Sequence, residues 1–419
     1  MKLSVSRTVS AGPVRTCENS AVDLDGISTL LTRDGWALLE SLPAYDESGT
    51  LALAEQLQRD GHPPALVSAA LTQSRLRSAA QAKFGPFASS MLFTPTGLEQ
   101  ATRLPVAARH AQRFASAGIT RVADLGCGIG ADSMAMAGLD REVLAVERDE
   151  VTAAIATVNL RHWPETTVRH GDAMTTSLSG IQAAFLDPSR RATAGKRLLD
   201  PRAGSPPLSF VHELAGQLSG VGMKTAPGIP HHLVPAGAEA QWISVDGDVV
   251  EAGLWFGVLA RDGVRRSALV LDSAGGGTEI SDAGMVDAVR APVGEVGAFL
   301  YEPDGAVIRS GLVAQVATRL EGRLIDSSIA YVTADRLTHT PLARAYAVEE
   351  VFGFQLKTLR TWLRDRGVGR LTIKKRGTAV EPEQLRKQLR LTGDNEATIV
   401  LTRVNGKQSV LVVRPTPRP

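Results

Sequence analysis

The chain has 419 residues, 43% of them hydrophobic and 21% charged. That is enough apolar material for about two to three packed domains and excludes wholesale disorder. A formal net charge of +2 identifies no polyanionic partner, so any such preference has to lie in how the charges are distributed. Two cysteines, Cys17 and Cys127, exclude a disulfide framework and a cysteine-rich zinc site. With no signal-like N-terminus and no apolar run of about 18 residues, the expectation is a cytoplasmic protein without membrane contact or metal.

Residues 1–25 show no period and read as an irregular arm. From 27 to 83 apolar residues recur at helical spacing, broken by Gly61-His62-Pro63-Pro64, which predicts a small helical domain. Leu92-Phe93-Thr94-Pro95 then turns into a helix expected over 96–116. Strand and helix alternate from there. Strands are expected at 121–124, 142–147, 168–172, 183–187 and 220–224, with helices near 149–161 and 208–219. That spacing predicts βαβ units and a parallel sheet covered on both faces. Asp246-Gly247-Asp248 between two apolar runs predicts a hairpin, 267–271 a further strand, and Gly275-Gly276-Gly277 a linker. Beyond about 291 an α+β region follows. Its expected elements are helix 346–367, strand 370–375, helix 381–390 and strands 397–404 and 408–414 about Asn405-Gly406. The expected domains are therefore 1–84, 85–285 and 286–419.

The most informative motif is Asp124-Leu125-Gly126-Cys127-Gly128-Ile129-Gly130-Ala131-Asp132. A strand delivers the chain to a tight turn whose glycines let the backbone approach a ligand at the sheet's C-terminal edge. Glu147 ends the next strand, where it can accept from both ribose hydroxyls, and Asp172 follows at the strand after that. Each carboxylate has an ordinary reading as a helix cap, a surface charge or a turn residue. Three in this order are harder to explain that way. Nicotinamide binding is the rival, but the glycines are spaced two apart, outside the GxGxxG register.

This run resembles the first motif of the class I S-adenosylmethionine-dependent methyltransferases. The resemblance implies a Rossmann-like methyltransferase sheet with S-adenosyl-L-methionine as cofactor. It places Gly126, Gly128 and Gly130 around the methionine part, Asp124 near its ammonium, Glu147 on the ribose and Asp172 on the adenine amino group. Phe93, Thr94 and Glu99 resemble the segment preceding this motif in trimethylguanosine synthase-like enzymes, which implies that they line the cofactor and acceptor pocket.

Asp187-Pro188-Ser189-Arg190-Arg191 resembles the family's fourth motif, which reads Asp or Asn, Pro, Pro and an aromatic residue in amine-directed enzymes. There a carboxylate and a backbone carbonyl accept the amine's hydrogens and aim its lone pair at the methyl. Asp187 and Pro188 are the expected catalytic pair. Ser189 and Arg190 depart from the pattern and leave no aromatic platform for a base. Arg190 and Arg191 suggest instead a clamp on phosphate or carboxylate, with a surface ion pair as the alternative.

Residues 357–390 carry eleven basic residues against three acidic ones, an excess greater than that of the whole chain. A concentrated basic surface suits a phosphate backbone, and Lys374-Lys375-Arg376-Gly377 reads as a loop presented to one. The segment 346–417 resembles the THUMP-like domain of certain bacterial methyltransferases, on Phe352 to Arg360, Thr372 to Gly377 and the last strand. Residues 299–309 resemble the lead-in of the same proteins. THUMP domains bind structured RNA, so the resemblance implies an RNA substrate; charge alone does not exclude DNA. The alternatives are a catalytically idle fold that binds RNA, and methylation of a small molecule.

Overall fold

The computed structural model describes residues 24–188, 204–283 and 291–417. Residues 1–23 of the expected N-terminal arm, with Cys17, and Ser189, Arg190 and Arg191 lie outside the described residues; residues 24 and 25, expected in the arm, open a helix.

Helices α1 (Leu24–Leu30), α2 (Arg33–Ser41), α3 (Thr50–Arg59) and α4 (Pro64–Phe84) make the N-terminal helical region. Thr32 caps α2 by accepting from the Gly35 amide at 3.0 Å. Pro64 opens α4, where a missing amide proton costs nothing. The other three helices pack on α4, which buries Leu66, Val67, Ala70, Leu76 and Phe84.

The helix expected over 96–116 is two helices, α5 (Pro95–Gln100) and α6 (Leu104–Ser116). Pro105 is the reason. A continuous helix would set its ring against the carbonyl one turn back, so the chain extends at Arg103 and starts again.

Next come β1 (Arg121–Leu125), α7 (Ala131–Ala137), β2 (Glu142–Glu147), α8 (Glu150–Asn159), β3 (Thr166–His170), β4 (Ala183–Leu186), α9 (Leu208–Ala215) and β5 (Gly220–Thr225). They are followed by β6 (Glu239–Val245), β7 (Asp248–Gly257), β8 (Arg266–Leu271) and β9 (Gly277–Ser281). The sheet order is β3-β2-β1-β4-β5-β7-β6-β8-β9, with β1 to β5 parallel and β7 antiparallel to β5. β4 and β5 are buried at every position, as strands covered on both faces must be; β4 is apolar throughout and β5 up to Met223. The chain runs outward on one side through β2 and β3 and on the other through β4 and β5. The reversal between β1 and β4 opens a crevice beyond their C-terminal ends. The expected linker at 275–277 is the turn into β9, which pairs with β8.

The remaining elements are β10 (Phe299–Pro303), α10 (Gly305–Ser310), α11 (Val313–Arg319), β11 (Arg323–Leu324), β12 (Val332–Ala334), β13 (Ala343–Gly353), α12 (Leu356–Asp365), β14 (Val368–Lys375), α13 (Pro382–Leu389), β15 (Asn395–Val404) and β16 (Lys407–Pro415). Their strands form a second sheet, β11-β12-β10-β13-β16-β15-β14. The helix expected over 346–367 is helical only from 356; its first part is β13, paired with β10 and β16. Val348, Val351 and Phe352 recur at a spacing that suits a helix, and cross-strand partners overrode it. α10 packs on β6, β7 and β8, and Ala306, Val307, Leu312 and Val316 share a core with Trp242, Leu254 and Ala268. One apolar core thus joins the two sheets.

Candidate active site

A cleft of about 1090 Å³ opens at the crevice between β1 and β4, and Asp124, Gly126, Gly128, Glu147, Asp172 and Asp187 all line it. Strands β1, β2, β3 and β4 deliver these residues at or just beyond their C-terminal ends, where parallel strands align their last side chains. The turn after β1 depends on glycine. Gly126 has φ 87°, and a Cβ there would stand 3.1 Å from the carbonyl oxygen of Asp187. Gly130, at φ 88°, caps α7 in a left-handed conformation and presses against Leu160, away from the cleft lining.

Glu147 is pinned to this turn. One carboxylate oxygen accepts from the Gly128 amide at 3.0 Å, the other from Arg148 and Asp149 at 2.8 and 2.9 Å. Asp172 closes a local turn by accepting from the Met174 amide at 2.8 Å. Thr94 lines the cleft and caps α5 through the Gly97 amide at 2.9 Å. Glu99 and Pro188 also line it. Phe93 does not. Its side chain is 0% exposed, packed on Phe84 with ring centres 5.7 Å apart, and its backbone is held by Gln73. The expectation for Phe93 is corrected: the backbone turns at Thr94 and leaves the aromatic ring on the core side.

The deep end holds a chain of buried polar groups. Lys224, next to last in β5, places Nζ 2.7 Å from Asp187 Oδ2 and donates to Thr102 Oγ1 at 2.9 Å. Thr102 donates to Asp132 Oδ2 at 2.6 Å. Asp132 Oδ1 lies 2.8 Å from His110 Nδ1, and His110 Nε2 lies 2.9 Å from Glu251 Oε1. The His110 ring sits against Phe185 and Trp255, with centres 4.9 and 5.6 Å away. Beside the chain, Asp124 is buried and accepts from Ser133 Oγ at 2.6 Å.

These groups set one another's charge. Burial, and after it the charge of Asp132, raises the Asp124 carboxyl to about 8. Burial opposes ionisation of Asp132 as well, but the hydrogen bond and charge of His110 hold it below its usual value. Burial would discharge His110, yet Glu251 and Asp132 outweigh it and push the imidazole up to about 10. Burial likewise opposes the Lys224 charge, and Asp187, Glu251 and Asp132 overcome it and raise the ammonium above the ordinary lysine range. Two neighbouring carboxylates thus end on opposite sides of neutrality.

None of His110, Thr102, Lys224 and Glu251 stands out in the sequence as a site residue. A signal exists for two of them. His110 occupies a position in the apolar stripe of α6 with Val106, Ala107 and Phe114, and Lys224 follows the apolar run Gly220 to Met223 inside a fully buried strand. A charge at a core position needs a partner. On the rim, Lys83 of α4 donates to the carbonyls of Leu98, Glu99 and Ala101 at 2.7, 2.7 and 2.9 Å, so the helical region holds the end of α5.

The expected phosphate-binding loop behaves differently. Lys374 is ion-paired to Glu302 at 2.6 Å, Lys375 to Glu381 at 2.6 Å, and Arg376 lies 3.9 Å from Glu302 and over the Tyr331 ring. All three have acidic or aromatic neighbours in the C-terminal region. Other cations turn to solvent on and beside α12 and α13, whose Leu359, Leu363, Leu385 and Leu389 pack on the sheet: Lys357 and Arg364 of α12, the latter paired with Asp365 at 3.2 Å, Lys387 of α13 and Arg390 at its C-terminal cap. Among the described residues no group of three or more His, Cys, Asp or Glu side chains could hold a metal ion, and no helix is long and apolar enough to cross a membrane.

The glycine turn, the strand-end carboxylates and the topology together define a class I methyltransferase sheet. The chain belongs to the S-adenosylmethionine-dependent methyltransferases. It is 34% identical over 322 residues to an uncharacterized S-adenosylmethionine-dependent methyltransferase of Mycobacterium tuberculosis, in strains CDC 1551 and H37Rv alike, covering 75% of this chain and 86% of that protein. Residues 343–415 match the THUMP domain-like family, and residues 23–80 match a domain of unknown function. The crystal structure of a Porphyromonas gingivalis W83 protein assigned as a methyltransferase superposes with a TM-score of 0.70 at 20% identity, over 90% of this chain and all of that one. It shares the fold. S-adenosylmethionine is accordingly the cofactor, and the cleft fits it chemically. The turn at Gly126 has no room for a side chain, and the carboxyl groups of Asp124, Glu147 and Asp172 line the cleft as hydrogen-bond and charge partners, as a ligand with an ammonium, a diol and an exocyclic amine requires.

Proposed function

We propose that this protein transfers a methyl group from S-adenosylmethionine to RNA, with a base amine as the acceptor. One observation carries the reading. Asp187 faces the same cleft as the glycine turn, Glu147 and Asp172, in a chain whose THUMP domain-like part presents exposed cations on and beside two helices.

In this reading Asp124 faces the cofactor's ammonium, Glu147 its ribose and Asp172 its adenine, while Thr94 and Glu99 close the near wall. The cofactor supplies an electrophilic methyl on a good leaving group, so this chain's task is placement. Asp187 and the carbonyl of Pro188 accept hydrogen bonds from the acceptor amine and fix its direction. Lys357, Lys387 and Arg390 on and beside α12 and α13, rather than 374–376, contact the phosphate backbone, and that contact weakens with salt. Arg190 and Arg191 stay, as in the sequence reading, candidates for a clamp on phosphate. In this reading the protein acts in the cytoplasm.

The test is transfer of labelled methyl from S-adenosylmethionine to total RNA from cells lacking this protein, with and without DNase. Label in an RNA band that Asp187→Asn loses supports the reading. Label that DNase removes shifts the substrate to DNA, and no label with cofactor binding intact refutes both.

A further inference from the structure

The Asp187–Lys224 pair stands where the acceptor carboxylate should act, and the lysine is far better held than an incidental partner would be. Its side chain is 6% exposed against 28% for Asp187. Behind it, Thr102, Asp132, His110 and Glu251 form a continuous hydrogen-bonded and ion-paired support that reaches from β5 through α7 and α6 to β7. Lys224, Thr102, Asp132, Asp187 and Glu251 all line the cleft. The Asp187 carbonyl touches the position of the first glycine of the turn, and Asp124 feels the charges of Asp132, Asp187 and Lys224. The pair therefore lies at the methionine end of the cleft.

Methyl transfer changes the charge at that end. The sulfonium of S-adenosylmethionine is a cation, and the thioether of the product S-adenosylhomocysteine is neutral. An enzyme whose cleft is strongly anionic there holds substrate cofactor well. One whose cleft is cationic holds product relatively better and expels the cofactor. An unpaired Asp187 and an unpaired Lys224 would be the two extremes.

We propose that Lys224 is a specificity-determining residue of this cleft: supported by Thr102 and the Asp132–His110–Glu251 cluster, it balances the charge of Asp187, and the pair sets the preference for the cationic cofactor over the neutral product. This rests on the cleft being the cofactor site. Opposed unit charges several ångströms from the sulfonium, at the effective dielectric of a partly open site, change that preference by about tenfold.

Calorimetric titration of the full chain with S-adenosylmethionine and with S-adenosylhomocysteine at low salt tests it. Lys224→Met leaves Asp187 unbalanced and raises the preference for the sulfonium by about tenfold. Asp187→Asn leaves the ammonium unbalanced and lowers it by a similar factor. Lys224→Arg and the double variant Lys224→Met/Asp187→Asn keep the balance and stay within about twofold of the native ratio. A structural role alone would weaken both ligands together and leave the ratio unmoved. Should Lys224→Met fail to fold, Asp187→Asn reads the ratio with the lysine in place. Glu147→Gln serves as the control and weakens both ligands equally. If it does so while neither charge variant shifts the ratio, the proposal is overturned and the site reading stands. If Glu147→Gln changes neither affinity, the site reading falls, and the proposal with it.

Discussion

Lys224 Nζ lies 2.7 Å from Asp187 Oδ2, at the point where the fourth and fifth strands of a parallel sheet end side by side. The lysine cannot rehydrate, because its side chain is 6% exposed. Removing its partner leaves a buried charge without compensation. Asp187→Ala should therefore cost about 2–3 kcal/mol in denaturant unfolding, and Asp187→Asn, which keeps an acceptor oxygen, clearly less. Equal costs for the two would show that the pair's charge contributes little to the fold.

Asp124 links the cofactor to protons. With its carboxyl raised to about 8, it is largely protonated at pH 7, and a cofactor ammonium beside it favours the ionised form. Cofactor binding should then release about one proton at pH 7, and affinity should rise by up to about tenfold per pH unit until near pH 8. Calorimetry in buffers of different ionisation enthalpy measures this directly. Binding heats that do not depend on the buffer would contradict it.

His110 should make the fold sensitive to alkali. Its value rises from 6.5 to about 10, so its stabilising contribution is complete below about pH 6.5 and is lost as pH climbs through 10. The melting temperature should fall across that interval. His110→Phe removes the counter-charge of Asp132 and Glu251, should cost about 3–5 kcal/mol, and should lack this part of the pH dependence. An unchanged pH profile in the variant would place the titration elsewhere.

The basic C-terminal surface divides into two sets. Lys357→Ala, Lys387→Ala and Arg390→Ala together should lower the slope of log affinity for RNA against log salt by about two to three and leave the melting temperature within a degree or so. Lys374→Ala should do the reverse, since it deprives partly buried Glu302 of its closest cation. Filter binding over a salt series, with thermal melts beside it, separates the two.

How much of this was legible beforehand follows from what is local. The turn Asp124 to Gly130, the alternation of strands and helices and the Asn405-Gly406 hairpin depend on neighbouring residues alone, and each stands in the structure. The break at Pro105 is also local but easily passed over, since proline in a first turn looks like helix on both sides. The strand at 343–353 is of another kind, since its partners are residues 299–303 and 409–415.

By itself, then, the sequence determined the class of sheet, the cofactor turn and the position of Asp187, because strand order and turn chemistry are encoded at short range. Only the tertiary structure decided that Phe93 faces the core, that Lys374, Lys375 and Arg376 are paired with acidic residues, and that Asp187 shares its charge with Lys224. The members of the Lys224 support come from residues 102, 110, 132 and 251. No period or spacing joins them. They meet because a buried charge is stable only beside its opposite, and folding alone brings those opposites within reach.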